Sequence, residues 1–426
     1  MGYTLVISTI LLTIGRLGDI FGRINLYKIG FAIFTIGSGL CSISFNGPSL
    51  VFFRLVQAVG AALIFANGTA IITDSFPPSE RGRALGIGQV GGISGSVIGL
   101  VAGGVLTTTL GWPSIFWINL PIGGFATLWA HLRLKELGVK TRGERPDLVG
   151  MIVFGTGLAL ALVGLVFGSM SGWNSEYLSS MIFGVLLICT FVFLETRIHA
   201  PMMDLKLFKI REFSAGILGN LLSATSRGAV SFVLVFYFQG VLLFDAFRAG
   251  LMLIPFALAF VVVGPISGYL SDKHGSRGFA TTGMIISAIA FLWLAALPKE
   301  TPYDILVFPM MLVGVGGGLF ASPNVASIMS SVPLNRRGIA SGMSSTLWNV
   351  GSLLSLGISF AILATSVPNN ILQEIFAGLP VASGAIDLGN FVNSMHIVFL
   401  FMAIFSVVAA AAAFLSGSKP RMAREI

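Results

Sequence analysis

Two arginines lie within long apolar stretches, where a charged side chain needs water or a partner. Arg54 lies about five residues into the stretch 49–73, and Gln57 follows three positions later on the same helical face. Arg227 has about thirteen residues on either side within 214–240, roughly 20 Å of helix, so its side chain cannot reach the membrane surface. A charge at the bilayer centre costs about 2.5–3.5 kcal/mol and usually marks a substrate or ion pathway. We therefore predict that Arg227 lines a cavity, whereas Arg54 either lines it too or extends to the outer interface.

Further polar and aromatic side chains deep in apolar stretches are candidates for the same cavity. They are Asn67, Gln89, Asn220, Tyr237, Gln239, Trp348 and Asn349. Each of them alone could instead be a contact between helices. Together they predict a large, mostly apolar cavity with few hydrogen-bonding groups, which suits small hydrophobic or amphipathic molecules.

Acidic residues are missing from the middle of every apolar stretch. Of the 17 Asp and Glu residues, only Glu195 lies within such a stretch, as the last residue of 178–195, and Asp74 directly follows 49–73. Proton-driven transport needs a titratable group whose exposure alternates, usually a carboxylate. Either Asp19 and Asp74 serve near one face of the membrane, or the group lies on a helix outside this sequence, or transport is not driven by protons.

The remaining chemistry-bearing residues exclude several classes of protein. The two cysteines, Cys41 and Cys189, lie in apolar stretches, and the four histidines are scattered without metal-ligand spacing. The sequence contains no nucleophile–base pair and no phosphate-binding loop of the form G-x-x-x-x-G-K-[ST]. We therefore expect neither an enzyme nor an ATP-driven pump, and we expect no metal and no cofactor.

The apolar stretches that must position these residues are long enough to cross a membrane. Of the 426 residues, 55% are hydrophobic and 10% are charged, and the mean hydropathy is +0.92. Because a soluble chain carries about 25% charged residues, we predict an all-α polytopic membrane protein. Thirteen segments are predicted to span the membrane: 1–14, 29–45, 49–73, 84–109, 115–132, 148–168, 178–195, 214–240, 249–270, 279–297, 305–329, 339–365 and 393–415.

Basic residues are concentrated in alternate loops. Of the 25 Lys and Arg residues, 21 lie in seven segments on one side: 15–28, 74–83, 133–147, 196–213, 271–278, 330–338 and 416–426. The positive-inside rule places these segments, and with them the C-terminus, in the cytoplasm. We therefore predict a multi-pass protein of the cell membrane that is monomeric in the lipid bilayer. The same distribution explains the net charge of +8, so we do not expect the protein to bind nucleic acid. Thirteen spans would place residue 1 outside, so we expect that a preceding helix is missing from this sequence.

One predicted span carries a regular series of glycines. Gly91, Gly95, Gly99 and Gly103 recur every four residues, and Gly104 follows the last of them. A stripe of small residues lets two helices approach closely, so we predict that this stripe packs against another helix. A hinge or a sliding surface between the two halves of the protein is the alternative.

Two pairs of similar strings indicate an internal duplication. GRLGDIFGR at 15–23 recurs as GYLSDKHGSR at 268–277, and PSERGRALG at 78–86 recurs as PLNRRGIASG at 333–342. We therefore predict a two-lobe helical bundle with a helix pair inserted between the lobes. The three parts are an N-terminal lobe at 1–132, an inserted pair with its flanking loops at 133–213, and a C-terminal lobe at 214–426.

Charged residues and glycines of these strings and their surroundings form a predicted gate. Its members are Gly15, Asp19, Gly22, Arg23, Asp74, Arg81, Asp272 and Arg337. Ion pairs among them could lock the two lobes together on the cytoplasmic side, as alternating access requires. The alternative is that these charges only set the topology. Gly15 and Gly22 are expected to allow the tight turn between two spans.

Several strings match, in order, the motifs of a known family of membrane proteins. The string at 15–23 fits the loop motif G-x-L-a-D-x-x-G-r. FRLVQAVGAA at 53–62 fits R-x-x-Q-G-x-G-a-A except that Ala58 replaces the first glycine, and LGWPSIFWINLPIG at 110–123 fits W-r-W-i-F-w-i-N-l-P-i-G except at Pro113 and Ser114. The sequence thus resembles the major facilitator superfamily, and within it the fourteen-span drug:proton antiporter branch. GLVAGG at 99–104 departs from the antiporter motif G-P-x-x-G-G at Leu100, and the first helix of the family is absent.

The resemblance implies a secondary transporter that exports small hydrophobic molecules, including drugs, by proton antiport. It also implies that Arg54 handles protons or substrate. Two alternatives remain: a carrier of the same fold for one metabolite, and a truncated or sensory copy that does not transport.

Overall fold

The fold is helical throughout the part of the chain that the structure describes. The structure is a computed structural model that describes residues 2–138, 146–198, 201–242, 244, 246–298, 301–366 and 388–416. Its α-helices are α1 (Gly2–Phe21), α2 (Arg23–Ser42), α3 (Gly47–Ser75), α4 (Arg81–Leu110), α5 (Ser114–Trp117), α6 (Asn119–Arg133), α7 (Leu148–Ser171), α8 (Ser175–Glu195), α9 (Arg211–Arg227), α10 (Val230–Gly240), α11 (Ala246–Leu251), α12 (Ile254–His274), α13 (Ser276–Ala295), α14 (Tyr303–Ser331), α15 (Arg337–Leu363) and α16 (Leu388–Leu415). Short 3-10 turns occur at Leu205–Lys209 and Leu334–Arg336.

Twelve of the described segments are long and apolar enough to cross a membrane. They coincide with twelve of the thirteen predicted spans. The other prediction, 84–109, falls within α4, a continuous helix of 30 residues that is not among the twelve found in the described residues. At 1.5 Å per residue, α4 measures about 45 Å, which exceeds the roughly 30 Å of a bilayer core. Its assignment as a span stays a prediction, and the C-terminal tail at 417–426 lies outside the described residues.

Side chains at the helix ends account for several of these boundaries. Asn46 and Ser49 form a capping box before α3, with the Ser49 N–H donating to Asn46 Oδ1 at 2.8 Å. Asp147 accepts from the Gly150 N–H at 2.9 Å before α7, and Asn174 accepts from the Tyr177 N–H at 3.0 Å before α8. The inserted pair is therefore bounded by capping side chains at the start of both of its helices.

The predicted loop 15–28 is wrong. α1 continues to Phe21 and α2 begins at Arg23, so only Gly22 separates two helices. Gly22 has a φ of 103°, and Gly275 holds a φ of 89° at the matching position between α12 and α13. Two of the polar residues that suggested a loop, Asp19 and Arg23, are buried and contact the opposite lobe, as described below.

The helices assemble into two lobes, which confirms the predicted two-lobe bundle. In the N-terminal lobe α2 packs against α3 and α6, and in the C-terminal lobe α13 packs against α14 and α16. Contacts between the lobes join α1 to α15 and α4 to α12. The inserted helices α7 and α8 pack against each other, and α7 also contacts both α1 and α15. The division at 132 and 213 stays a prediction.

The C-terminal lobe has a core of aromatic side chains. Phe236 and Phe238 of α10, Phe291 of α13, Phe360 of α15 and Phe391 of α16 are all buried in one cluster. Ring contacts such as Phe236–Phe360, with centroids 6.3 Å apart, fix the relative positions of α10 and α15. This core includes residues of α15, which carries Trp348, and of α10, which begins three residues after Arg227.

Candidate functional site

Asp19 joins the end of α1 to the beginning of α15 across the two lobes. Its carboxylate accepts the Gly338 N–H at 2.8 Å and the Ile339 N–H at 2.9 Å. Arg23, one helical turn later, donates to the same carboxylate at 2.7 Å. Asp19 is 1% exposed, so each of its bonds forms away from water. A negative charge at the N-terminus of a long helix is stabilised by the free N–H groups and the helix dipole.

Asp74 bridges two arginines that come from different lobes. Arg23 Nη1 pairs with Asp74 Oδ2, and Arg337 Nη1 pairs with Asp74 Oδ1 at 2.8 Å. Arg23 also donates to the Leu334 carbonyl oxygen at 2.8 Å. All three charged side chains are buried, and breaking a buried pair leaves an uncompensated charge, which is strongly unfavourable. The predicted gate residues of the N-terminal lobe are thus brought together with Arg337.

A second contact repeats this arrangement with the lobes exchanged. Asp272, at the end of α12, accepts the Gly82 N–H at 2.8 Å and the Arg83 N–H at 3.0 Å at the beginning of α4. Arg81 donates to the Thr73 carbonyl oxygen at 3.2 Å and to Ser330 Oγ at 3.4 Å. We call the contacts of Asp19 and Asp272 the two latches, and the end of the bundle where they lie the basic end.

Glycines allow the helices of the two lobes to touch at the basic end. A Cβ on Gly15 would overlap the Gly338 carbonyl oxygen and lie 2.9 Å from the Gly342 Cα, and one on Gly268 would overlap the Gly82 carbonyl oxygen. Gly15 therefore lies inside α1 as a contact to α15, and the prediction that it forms the turn is wrong. Of the two glycines predicted to form the turn, Gly15 and Gly22, only Gly22 has the turn conformation.

The glycine stripe of α4 does not make the predicted helix contact in this conformation. A Cβ on Gly91, Gly95, Gly99 or Gly103 would meet no described atom within 4 Å, and one on Gly104 would lie 3.8 Å from the Phe247 ring. The close approach of α4 to α12 lies nearer the basic end, where a Cβ on Gly86 would lie 2.9 Å from the Gly264 carbonyl oxygen. The four glycines from Gly91 to Gly103 thus face open space in this conformation.

Arg227 lies at a break between α9 and α10, in the middle of the predicted span. Its Nη2 donates to Ser223 Oγ at 2.8 Å, and its guanidinium carbon lies 5.5 Å from the centroid of the Trp348 ring and 5.9 Å from that of Phe260. Its Nε is buried without a hydrogen-bond partner in the described residues. The side chain is 7% exposed, whereas Trp348 is 37% exposed. The structure therefore brings two predicted cavity residues, Arg227 and Trp348, into contact.

Arg54 belongs to a separate polar group in the N-terminal lobe. It donates to Gln57 Oε1 at 2.8 Å, and its guanidinium carbon lies 4.5 Å from the centroid of the Tyr3 ring. Gln57 in turn donates to Ser38 Oγ of α2 and is 1% exposed. Gln57 thus serves the contact between α2 and α3 in this conformation.

The other predicted cavity residues are dispersed. Asn67 is fully buried at the contact with Gly18 of α1, where its Nδ2 donates to the Leu63 carbonyl oxygen at 2.9 Å. Asn349 donates within its own helix to the Ser345 carbonyl oxygen at 2.8 Å. Gln239 lies at the far end of α10, about 18 Å along the helix from Arg227.

Sequence reasoning missed the neighbours of Arg227 and the glycines that pair with the latches. Phe260 and Gly317 are apolar residues in apolar helices, so nothing in the sequence sets them apart from lipid-facing positions. Gly82 and Gly268 could have been found, because both lie within the repeated strings. In the described residues there is no group of three or more His, Cys, Asp or Glu side chains that could hold a metal ion.

The sequence matches one protein family over most of its length. Residues 1–147 and 216–426 match the Major Facilitator Superfamily. The part between them contains α7, α8 and the first 3-10 turn. The riboflavin transporter RibZ of Clostridioides difficile is 34% identical over 372 residues, which cover 86% of this chain and 80% of that protein. The multidrug resistance protein Stp of Mycobacterium tuberculosis is 28% identical over 411 residues, which cover 93% of this chain and 76% of that protein.

Solved structures with low sequence identity share the fold. The human organic anion transporter MFSD10 superposes with a TM-score of 0.64 at 14% identity, over 95% of this chain and 82% of that chain. The proton:xylose symporter XylE superposes with a TM-score of 0.61 at 14% identity, over 96% and 83% of the two chains.

Proposed function

The chain belongs to the major facilitator superfamily of membrane transporters, and from that premise we propose that it exports small, mostly apolar molecules in exchange for protons. The lobes alternate between two arrangements, each of which closes the path between them at one end. The basic end faces the cytoplasm in this proposal, which the positive-inside rule supports because the sequence concentrates Lys and Arg in the loops predicted on that side.

The observation that carries the proposal is the pair of latches at the basic end. Asp19 binds the N-terminus of α15, and Asp272 binds the N-terminus of α4. Both contacts join the two lobes, and both can be broken by a small rotation of one lobe against the other. Such a contact, either fully made or fully broken, is the two-state element that alternating access requires.

Asp19 is our candidate for the proton-accepting group. A proton that is taken up from the outer side while the basic end is closed, and that binds this carboxylate, would remove the charge that Arg23 and two backbone N–H groups bind. The latch would weaken and the basic end would open, so that the proton leaves to the cytoplasm and a substrate molecule can enter. Closure then needs the ionised carboxylate again, which ties one proton to each cycle.

The proposal is tested by dye accumulation in everted membrane vesicles from a host without its own drug pumps. We expect a planar apolar dye to accumulate when the vesicle interior is acidified, because the basic end then faces the medium. Nigericin, which collapses the pH gradient, should abolish accumulation, whereas valinomycin, which collapses only the membrane potential, should leave most of it. Accumulation that is indifferent to nigericin, or equal to that of vesicles without the chain, would refute the proposal.

A carrier for one metabolite is the second candidate function. It is favoured by the 34% identity to a protein named as a riboflavin transporter. Competition separates the two candidates, since a multidrug exporter should be inhibited by many unrelated dyes and a metabolite carrier by close analogues of one compound.

A further inference from the structure

The most unusual charge in the structure is the guanidinium of Arg227. An arginine is not deprotonated in proteins, so a positive charge lies in the middle of a span at 7% exposure. No carboxylate lies within 4 Å of it in the described residues. Of its three nitrogens, Nη2 is bonded to Ser223 and Nε is buried without a partner in the same residues. The C-terminus of α9 supplies only about half of an opposite charge.

The space around the guanidinium is shaped to hold it in one place. A Cβ on Gly317 would overlap Arg227 Nη1 and lie 2.9 Å from the Phe260 ring, so α14 approaches to contact distance only because it has glycine there. Phe260 lies on one side and Trp348 on another, both within about 6 Å of the guanidinium carbon. The arginine is fixed, and its charge is compensated only in part.

The ring of Trp348 contacts Arg227, and Trp348 is itself partly exposed. It lies about two turns beyond Gly342, the position where α15 touches α1, and is 37% exposed although its ring contacts the guanidinium. α12, which carries Phe260, and α14, which carries Gly317, both contact α4 of the other lobe. Arg227 therefore lies behind the side of the C-terminal lobe that faces the N-terminal lobe, above the closed basic end.

We propose that this site binds an organic anion with a planar ring, whose acidic group pairs with Arg227 while its ring stacks on Trp348. The inference rests on the proposed export function and assigns its substrate class. A buried charge without a counter-ion is unfavourable, and an anionic ligand supplies the missing partner. Arginine binds carboxylate and phosphate groups through two parallel N–H donors, and the exposed tryptophan offers an aromatic face. A cationic ligand would meet repulsion with no described carboxylate to offset it.

The test compares two dyes that share a xanthene ring and differ in charge. Fluorescein is an anion at mildly alkaline pH, and rhodamine 6G is a cation. Binding of each to the full chain in nanodiscs of neutral lipid is followed by fluorescence anisotropy, with empty nanodiscs as the reference for partitioning. We expect fluorescein to bind about tenfold more tightly than rhodamine 6G, and the reverse order would overturn the proposal.

Variants of Arg227 test whether this residue causes the preference for the anionic dye over the cationic one. Arg227→Met should weaken fluorescein binding about tenfold and leave rhodamine 6G binding unchanged or tighter. Arg197→Met is the matched control, because Arg197 lies 5.4 Å from the Phe193 ring on an exposed helix end and its loss should change neither affinity. Unchanged fluorescein binding in Arg227→Met would overturn the proposal. If that variant does not fold, Arg227→Lys decides in the same way, since an ammonium cannot form the two parallel bonds.

A second variant keeps the charge and moves it. Gly317→Ala forces the guanidinium away from its present place, so fluorescein binding should weaken about threefold while rhodamine 6G binding is unaffected. Export of both dyes from vesicles separates this inference from the proposed function. If fluorescein binds through Arg227 but is not exported, the proposed export function is wrong and the anion site stands. If rhodamine 6G is exported and fluorescein does not bind, the anion site is wrong and the export function stands.

Discussion

At the scale of single residues, the two latch carboxylates differ in what else they bind. Asp19 accepts two backbone N–H groups and also pairs with Arg23. Asp272 accepts two backbone N–H groups and forms no ion pair within 4 Å in the described residues, so that Arg81 acts on it only through its charge at longer range. The loss of charge at Asp19 therefore breaks more of its latch, because Arg23 keeps only Asp74 as a charged partner.

Asp19→Asn should lower the turnover of export about tenfold while substrate affinity stays within about twofold. The amide retains a carbonyl acceptor but loses the charge-assisted bonds, each worth about 1.5–3 kcal/mol, where about 1.4 kcal/mol corresponds to a factor of ten. Because the variant resembles the protonated state, turnover should also lose its dependence on pH. Initial rates of dye export at several concentrations and pH values give both quantities.

Asp272→Asn is the matched comparison, with an expected loss of about threefold and an unchanged pH profile. Equal losses in the two variants would show that Asp19 has no special part in proton exchange. A normal rate in Asp19→Asn would remove both its gate role and its proton role.

The sequence pointed to Arg227 and Asp19 because charge near or inside an apolar run is visible without a structure. It could not identify their partners. The Asp19 latch uses backbone N–H groups of Gly338 and Ile339, which every residue except proline possesses, and Phe260 resembles any lipid-facing phenylalanine. Polarity alone also could not decide the role of Gln57 and Asn67, which are bonded to other helical residues in this conformation, since an amide in a span serves a contact between helices as readily as a cavity.

At the scale of helices, the contact between α1 and α15 depends on glycine. A Cβ on Gly342 would lie 2.8 Å from the Leu11 carbonyl oxygen and 3.1 Å from the Gly15 Cα, distances at which the backbones must separate. We therefore expect Gly342→Ala to push the helices apart and populate the conformation that is open at the basic end. A cysteine at Ser341, a fully buried position, should then react with a water-soluble maleimide about fivefold faster than in the parent.

Gly95→Ala is the control for this prediction. It adds the same methyl group to a helix, but in a place where the Cβ would meet no described atom, so the labelling rate at position 341 should not change. Equal acceleration in both variants would mean that added helix propensity, and not contact between lobes, sets the equilibrium.

Spacing in the sequence predicted glycine contacts between helices but chose the wrong glycines. The four-residue series in α4 suggested packing, yet the tight contacts use Gly82 and Gly86. The periodicity of small residues identifies a smooth face, whereas the neighbour of that face depends on how two helices cross. That crossing is set by the latches at one end of the helix and by the lobe conformation, neither of which local sequence contains.

At the scale of the whole molecule, the duplication explains why two latches exist. Asp19 and Asp272 occupy equivalent positions in the repeated strings, as do Arg337 and Arg81. Each lobe therefore supplies one carboxylate and receives the other at the N-terminus of a long helix. The two-lobe architecture could be predicted from these strings and from the spans, because hydrophobic length and repetition are properties of the sequence itself.

The proposed orientation of the molecule rests on the distribution of basic residues and can be tested by cysteine labelling. Lys135 follows α6, and Arg197 follows α8 at the same predicted side. In a background without Cys41 and Cys189, a cysteine at either position should be protected from a membrane-impermeant maleimide in intact cells and reactive in everted vesicles. A cysteine at Asn174, between α7 and α8, should show the opposite behaviour. With the basic end inside, the conformation described here is closed to the cytoplasm, so Trp348 lies on the side that releases substrate outward. If cysteines at positions 135 and 197 reacted in intact cells, the proposed orientation would be wrong. The basic end would then lie outside, and the two latches would close the outer side of the carrier.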